Sequence, residues 1–134
     1  MSMSGIRDAV KTALETISGL RVYDTVPDVV ELPCAWVLPR SGNYHATFSS
    51  RVMNHQLEVT LLVRRGAVIA EAQDDIDAYI DPTGAGSLLA ALNAITLGAH
   101  GSSLLVRGYR DYGGLAFGGE TYLGCKLDLE VLVG

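Results

Sequence analysis

The densest cluster of side chains able to do chemistry is acidic: Asp74, Asp75, Asp77 and Asp81. On a helix Asp74, Asp77 and Asp81 share a face, and carboxylates so placed offer the oxygen ligands that a hard cation prefers. The pattern stops short of an aspartate-rich metal box, because Ala78 occupies the position that would complete Asp-Asp-x-x-Asp and no second acidic motif follows. A solvated helix face is the reading these residues favour. Gly84-Ala85-Gly86-Ser87 opens a helix whose terminal amides attract anions. It lacks the lysine of a phosphate-binding loop and follows a helix rather than a strand, so it reads as an ordinary interhelical loop. His45, His55 and His100 share no metal-ligand spacing, and no G-x-S-x-G pattern pairs a nucleophile with a base. Cys34 and Cys125 each sit in an apolar, strand-like segment without C-x-x-C spacing, and are expected to be buried, reduced thiols. No catalytic residue, metal site or cofactor is expected, and the chain does not read as an enzyme.

Composition narrows the classes further. A chain of 134 residues suits one domain, 1–134, large enough to bury a core without staples. The formal charge of −5 argues against a nucleic-acid grip, which needs a basic patch; only Arg64-Arg65 forms a local basic pair. The opening Met1-Ser2-Met3-Ser4 lacks the basic region and apolar core of a cleaved signal, so the chain is expected to act where it is made. Apolar runs fall short of the ~18 residues of a membrane span. Even so, the mean hydropathy is positive at +0.26. A surface shared between subunits is the simplest way to cover that excess.

The elements that would position any site can be read from periodicity. Ser4 is placed to cap a helix carrying Ile6, Val10, Leu14 and Ile17 along one stripe, with Gly19 ending it. Arg21 to Asp24 forms a short strand, and Pro27 and Pro33 give the next segment a fixed, non-helical shape. Cys34 to Leu38, fenced by Pro33 and Pro39, is apolar on both alternating faces and suits an interior strand. Arg40 to Asn54 reads as a long polar loop. His55 to Arg65 then alternates strictly, with Leu57, Val59, Leu61 and Val63 on one face and Glu58, Thr60 and Arg64 on the other, as in a half-buried strand. Val68 to Ile80 follows a helical period, and Ser87 caps a shorter helix through Ile95. Leu104 to Tyr112, a glycine-rich turn at Gly113 to Gly119 and Thr121 to Val133 complete a β-rich last third. Within it Leu123, Cys125, Leu127, Leu129, Val131 and Val133 face one way and Lys126, Asp128 and Glu130 the other. The expected fold is α+β: an antiparallel or mixed sheet of four to five strands with two to three helices packed on one face.

The order of these parts resembles the tail terminator proteins of long-tailed phages with non-contractile tails, especially those infecting actinobacteria. The resemblance rests on the opening helix, Gly19-Leu20-Arg21-Val22-Tyr23-Asp24-Thr25-Val26-Pro27-Asp28, Pro33 with the strand after it, and Tyr44-His45-Ala46-Thr47-Phe48. It continues through Ala72-Gln73-Asp74-Asp75-Ile76-Asp77-Ala78-Tyr79-Ile80, Gly86-Ser87 and Gly119-Glu120-Thr121-Tyr122-Leu123-Gly124. It implies a virion structural protein of the tail neck, assembled in the host cytoplasm. There a homo-oligomeric, hexameric ring halts polymerisation of the tail tube protein and joins the tail to the head-tail connector protein. DNA would pass through the lumen without specific binding, and an acidic chain suits that passage. The nearest rival is a head completion or connector protein of the same joint; a more distant one is a small-ligand-binding α+β domain or enzyme.

The family hands over no functional residues, so contact surfaces are chosen on physical grounds. They are Tyr44, His45, Phe48 and Arg51 in the long loop, Arg64 and Arg65 at the strand end, and Tyr112 and Phe117 in the glycine-rich segment. Aromatic residues on pliant backbone suit contact surfaces, and a plain hairpin turn would carry the last two equally well.

Overall fold

Ile6, Val10 and Leu14 recur at the spacing of one helical stripe, and all three are buried on α1 (Met3–Leu14). Ser4 lies inside this helix instead of capping it. Two turns beyond its end bury Ile17, and Gly19 adopts the left-handed φ of 82° that lets the chain reverse. The computed structural model describes residues 3–43, 53–66, 68–94 and 103–133.

β1 (Arg21–Tyr23) and β2 (Cys34–Asn43) follow, paired in parallel, with the proline-bearing segment between them. β3 (Met53–Arg65), a 3-10 turn (Ile69–Glu71), α2 (Gln73–Ile80), α3 (Leu88–Asn93), β4 (Ser103–Phe117) and β5 (Glu120–Val133) complete the order. The five strands form one mixed sheet, β1-β2-β3-β5-β4, in which every neighbouring pair except β1 with β2 is antiparallel. The fold is the expected α+β class. All three helices contribute to a single core against one face of the sheet, where they meet Ala35, Val37, Leu57, Val59, Leu61, Leu123, Cys125, Leu127, Leu129 and Val131. Burying one such Leu or Ile fully contributes about 1.5–3 kcal/mol.

Several local expectations change. β2 runs through Pro39 to Asn43, with a register shift between Pro39 and Ser41, and β3 starts at Met53, so both ends of the expected long loop belong to strands. A proline is tolerated there because it borders the irregularity and because β1, which pairs only with Cys34 to Trp36, leaves its other side without a ladder. Ile95, expected to prolong the last helix, lies outside the described residues. The glycine-rich turn shrinks to Gly118-Gly119, both with positive φ, because Gly113 and Gly114 pair with Gly124 and Leu123 inside the ladder. Gly113 sits at a register shift with a φ of 139°, a conformation that glycine adopts without strain.

The second face of β3 is not wet. Glu58 and Thr60 are buried with Leu62, and a smaller apolar cluster of Cys34, Trp36, Leu62 and Tyr122 sits on this face, joined by Tyr23, Val30, Leu32, Leu115 and Phe117. Cys34 and Cys125 therefore occupy opposite faces of the sheet, both as free thiols. Burial pushes them up to about 11 and about 12 respectively.

The tightest point is Gly124, where an added Cβ would fall 1.9 Å from the Leu61 carbonyl oxygen of β3. Gly124→Ala is expected to force β3 and β5 apart, destabilising the fold by about 3 kcal/mol. The melting temperature then drops by roughly 10 °C. An unchanged melting curve would show that the two backbones separate at no cost.

Candidate functional site

Opposite the helices, β3, β5 and β4 align charged side chains that the periodicity assigned to solvent. Glu58 faces Leu38 of β2 and Asp128 of β5, and Asp128 in turn faces Gly108 of β4, so the face has room for long cationic side chains to lie flat. They converge on Glu58. Its carboxylate accepts from Arg40 Nη1 at 3.0 Å and Lys126 Nζ at 3.2 Å, and from Arg110 Nη2. Arg110 Nε also donates to Asp128 Oδ1 at 3.0 Å. Glu130 accepts from Arg107 Nε at 2.5 Å and Asn54 Nδ2 at 2.7 Å.

Glu58 is only 7% exposed although no helix covers it. The stems of its own partners exclude water, as long basic side chains can when they lie along a surface. Burial alone would raise the Glu58 carboxyl, but the hydrogen bonds and charges of Lys126 and Arg110 outweigh it and hold the group below the usual carboxylate range. Arg107 and Asn54 lower Glu130 against a smaller opposing effect of burial. Beside this network lies an open groove of about 450 Å³, lined in part by Arg40, Gln56, Arg107 and Arg110. The carboxylates around it are already paired to cations, which suits a rigid surface better than a proton-transferring one.

The expected contact residues do not form one patch. Tyr44, His45, Phe48 and Arg51 lie outside the described residues. Arg64 and Arg65 end β3 and are exposed; Arg65 bonds Glu120 at 2.8 Å and lies 5.8 Å from the centroid of the Tyr122 ring. Tyr112 and Phe117 belong to strand β4, on opposite faces, and both turn inward. The Tyr112 hydroxyl donates to Asp77 Oδ1 at 2.7 Å, tying β4 to α2, and burial together with that bond pushes it up to about 12. Phe117 packs its ring 5.0 Å from that of Trp36. Asp77 is thus engaged by a tyrosine, and among the described residues no three His, Cys, Asp or Glu side chains gather as metal ligands. Ser87 caps α3, its Oγ accepting the Ala90 amide at 3.1 Å and donating to the Asp81 carbonyl, which binds the glycine loop to the end of α2.

Apolar exposure is spread over several places, Leu38 of β2, Val68 and Ile69 after β3 and Leu132 of β5 among them. Beside β1, Val29 is 80% exposed and Val26 is exposed with it; along β4, Leu105 and Tyr109 are 52% and 57% exposed. Sequence reading missed both the charge network and this placement. Lys126-x-Asp128-x-Glu130 on one strand and Arg107 and Arg110 on another are the signal, which becomes informative once those strands are known to be neighbours. A scan against known protein families finds none that matches this chain, and no curated protein matches it.

Because the folded-state pKa of Glu58 is depressed from 4.5, its contribution is present above that pH and lost as the pH falls through the folded value. Unfolding free energy measured from pH 7 downward is expected to decline below about pH 4.5. Glu58→Gln lowers stability at pH 7 and flattens that decline; an unaltered pH profile in the variant would remove Glu58 from the account.

Proposed function

We propose that this chain is a structural subunit of a closed homo-oligomeric ring, and that the ring is the terminator at the head-proximal end of a phage tail tube. The observation that supports the proposal is the amount of apolar surface left exposed, Val29, Val68, Leu105 and Tyr109 foremost, on a domain whose charged sheet face is already paired to itself. Unlike exposed surfaces on one subunit can pair heterologously, and a heterologous contact either closes into a ring or propagates as a filament. The motif order along the chain, from Gly19-Leu20-Arg21-Val22-Tyr23 to Gly119-Glu120-Thr121-Tyr122-Leu123-Gly124, selects the tail terminator among ring proteins.

In this role the ring occupies the virion neck after assembly in the host cytoplasm, stops the tail tube protein from adding further and receives the head-tail connector protein. A net charge of −5 disfavours adhesion to DNA phosphates, in keeping with a ring that DNA passes through. Deleting the gene from its phage is expected to give overlong or head-free tails by electron microscopy. Tails of normal length left unattached to heads would assign the chain to the connector instead, and unaltered virions would reject both.

A further inference from the structure

Uncovered apolar surface runs along the helix side of β4, where that strand meets the start of α2. Val68 and Ile69, just before and within the 3-10 turn, are 57% and 42% exposed, and Tyr109 of β4 is exposed with them. Tyr109 pairs with Leu127 and so stands on the helix side of the sheet. Tyr112 follows it on that side, past the irregularity after Arg110. Its hydroxyl reaches the Gln73 carbonyl and Asp77, and the charges of Asp77 and Asp74 both bear on it. Ile69 ends the row, its Cδ1 3.3 Å from where a Cβ on Gly113 would stand. Aliphatic and aromatic side chains thus form a strip bordered by the carboxylates of α2.

The charge beside this strip is uncompensated. Glu71, Asp74, Asp75, Asp77 and Asp81 account for the whole formal charge of −5, because the other ten acidic residues are matched by the ten basic ones. No Lys or Arg occurs from Gly66 to Val106. Seven of the basic residues, Lys11, Arg21 and Arg65 with the four around Glu58 and Glu130, are held in ion pairs, none of which involves Asp74, Asp75 or Asp81. A second copy therefore has little free positive charge to set against these carboxylates. Nucleic acids and anionic membranes are repelled by them. The complement is a protein segment that is both basic and aliphatic, which matches an interface with an apolar centre and a polar rim.

We infer that this strip docks a basic, aliphatic-bearing segment of another protein, whose apolar side chains lie on Val68, Ile69 and Tyr109 and whose lysine or arginine heads reach Asp74 and its neighbours on α2. The contact stands whether or not the chain forms a ring.

The probe is a short fluorescein-labelled peptide of alternating leucine and lysine, titrated with the full chain and read by fluorescence anisotropy. An all-lysine peptide of the same length is the control and is expected to bind about tenfold more weakly. Val68→Ser with Ile69→Ser leaves the charge unchanged and is expected to weaken binding of the leucine-lysine peptide about tenfold. Tyr109→Ser, on a different element, weakens it in the same direction and serves if the double variant loses its fold. Asp74→Asn weakens it about threefold and lessens its dependence on salt. No binding, equal binding of the two peptides, or folded variants that bind as the wild type does would each overturn the inference. Variants that instead dissolve an oligomer of the wild-type chain would assign the strip to a contact between copies, and overturn it as well.

Discussion

With α1, α2 and α3 all on one side, the other side of a five-stranded sheet has to be finished by its own side chains. Two solutions share that face. At one end Trp36, Phe117 and Tyr122 form a small aromatic cluster under the segment after β1. In the middle Glu58 is sealed by Arg40, Arg110 and Lys126. A carboxylate desolvated to this degree would be costly alone, and three hydrogen-bonded cations offset the penalty. The same face is thereby rigid and nearly self-neutralised, which leaves little there for a partner to exploit.

The strand order accounts for part of the burial. β3 and β5 are flanked on both sides, so their apolar residues are covered on the helix face and mostly engaged on the other. β1 and β4 each have one strand neighbour in the sheet, and Leu105 and Tyr109 of β4 are exposed, as are Leu38, Val68, Ile69 and Leu132 elsewhere. Bulges along β4 interrupt the ladder at its free edge and so protect it from indiscriminate strand pairing.

The sequence made the helix-facing half of this structure readable. The stripe Ile6, Val10, Leu14 and the alternation from Leu123 to Val131 each require a single covered face, and Ser87 caps its helix as its chemistry demands. The outer face was harder to read because its logic is cross-strand. Glu58 looks solvated until Arg110 and Lys126 are known to lie beside it, and Arg40 looks like loop until β2 is seen to continue past Pro39. Gly113 and Gly114 carried the same ambiguity: glycine serves both turns and irregular ladders, and only the pairing with Gly124 and Leu123 separates the two uses. Tyr112 and Phe117, chosen as aromatic contacts, are half-buried within the subunit for the same reason.

The central claim is that copies of this chain hide exposed apolar surface from water by joining in a circle. Native mass measured across rising protein concentration tests it most directly. The account predicts that one discrete, closed multimer replaces the monomer and that its mass stops growing. A monomer at every concentration, or an open series of ever larger polymers, would contradict it.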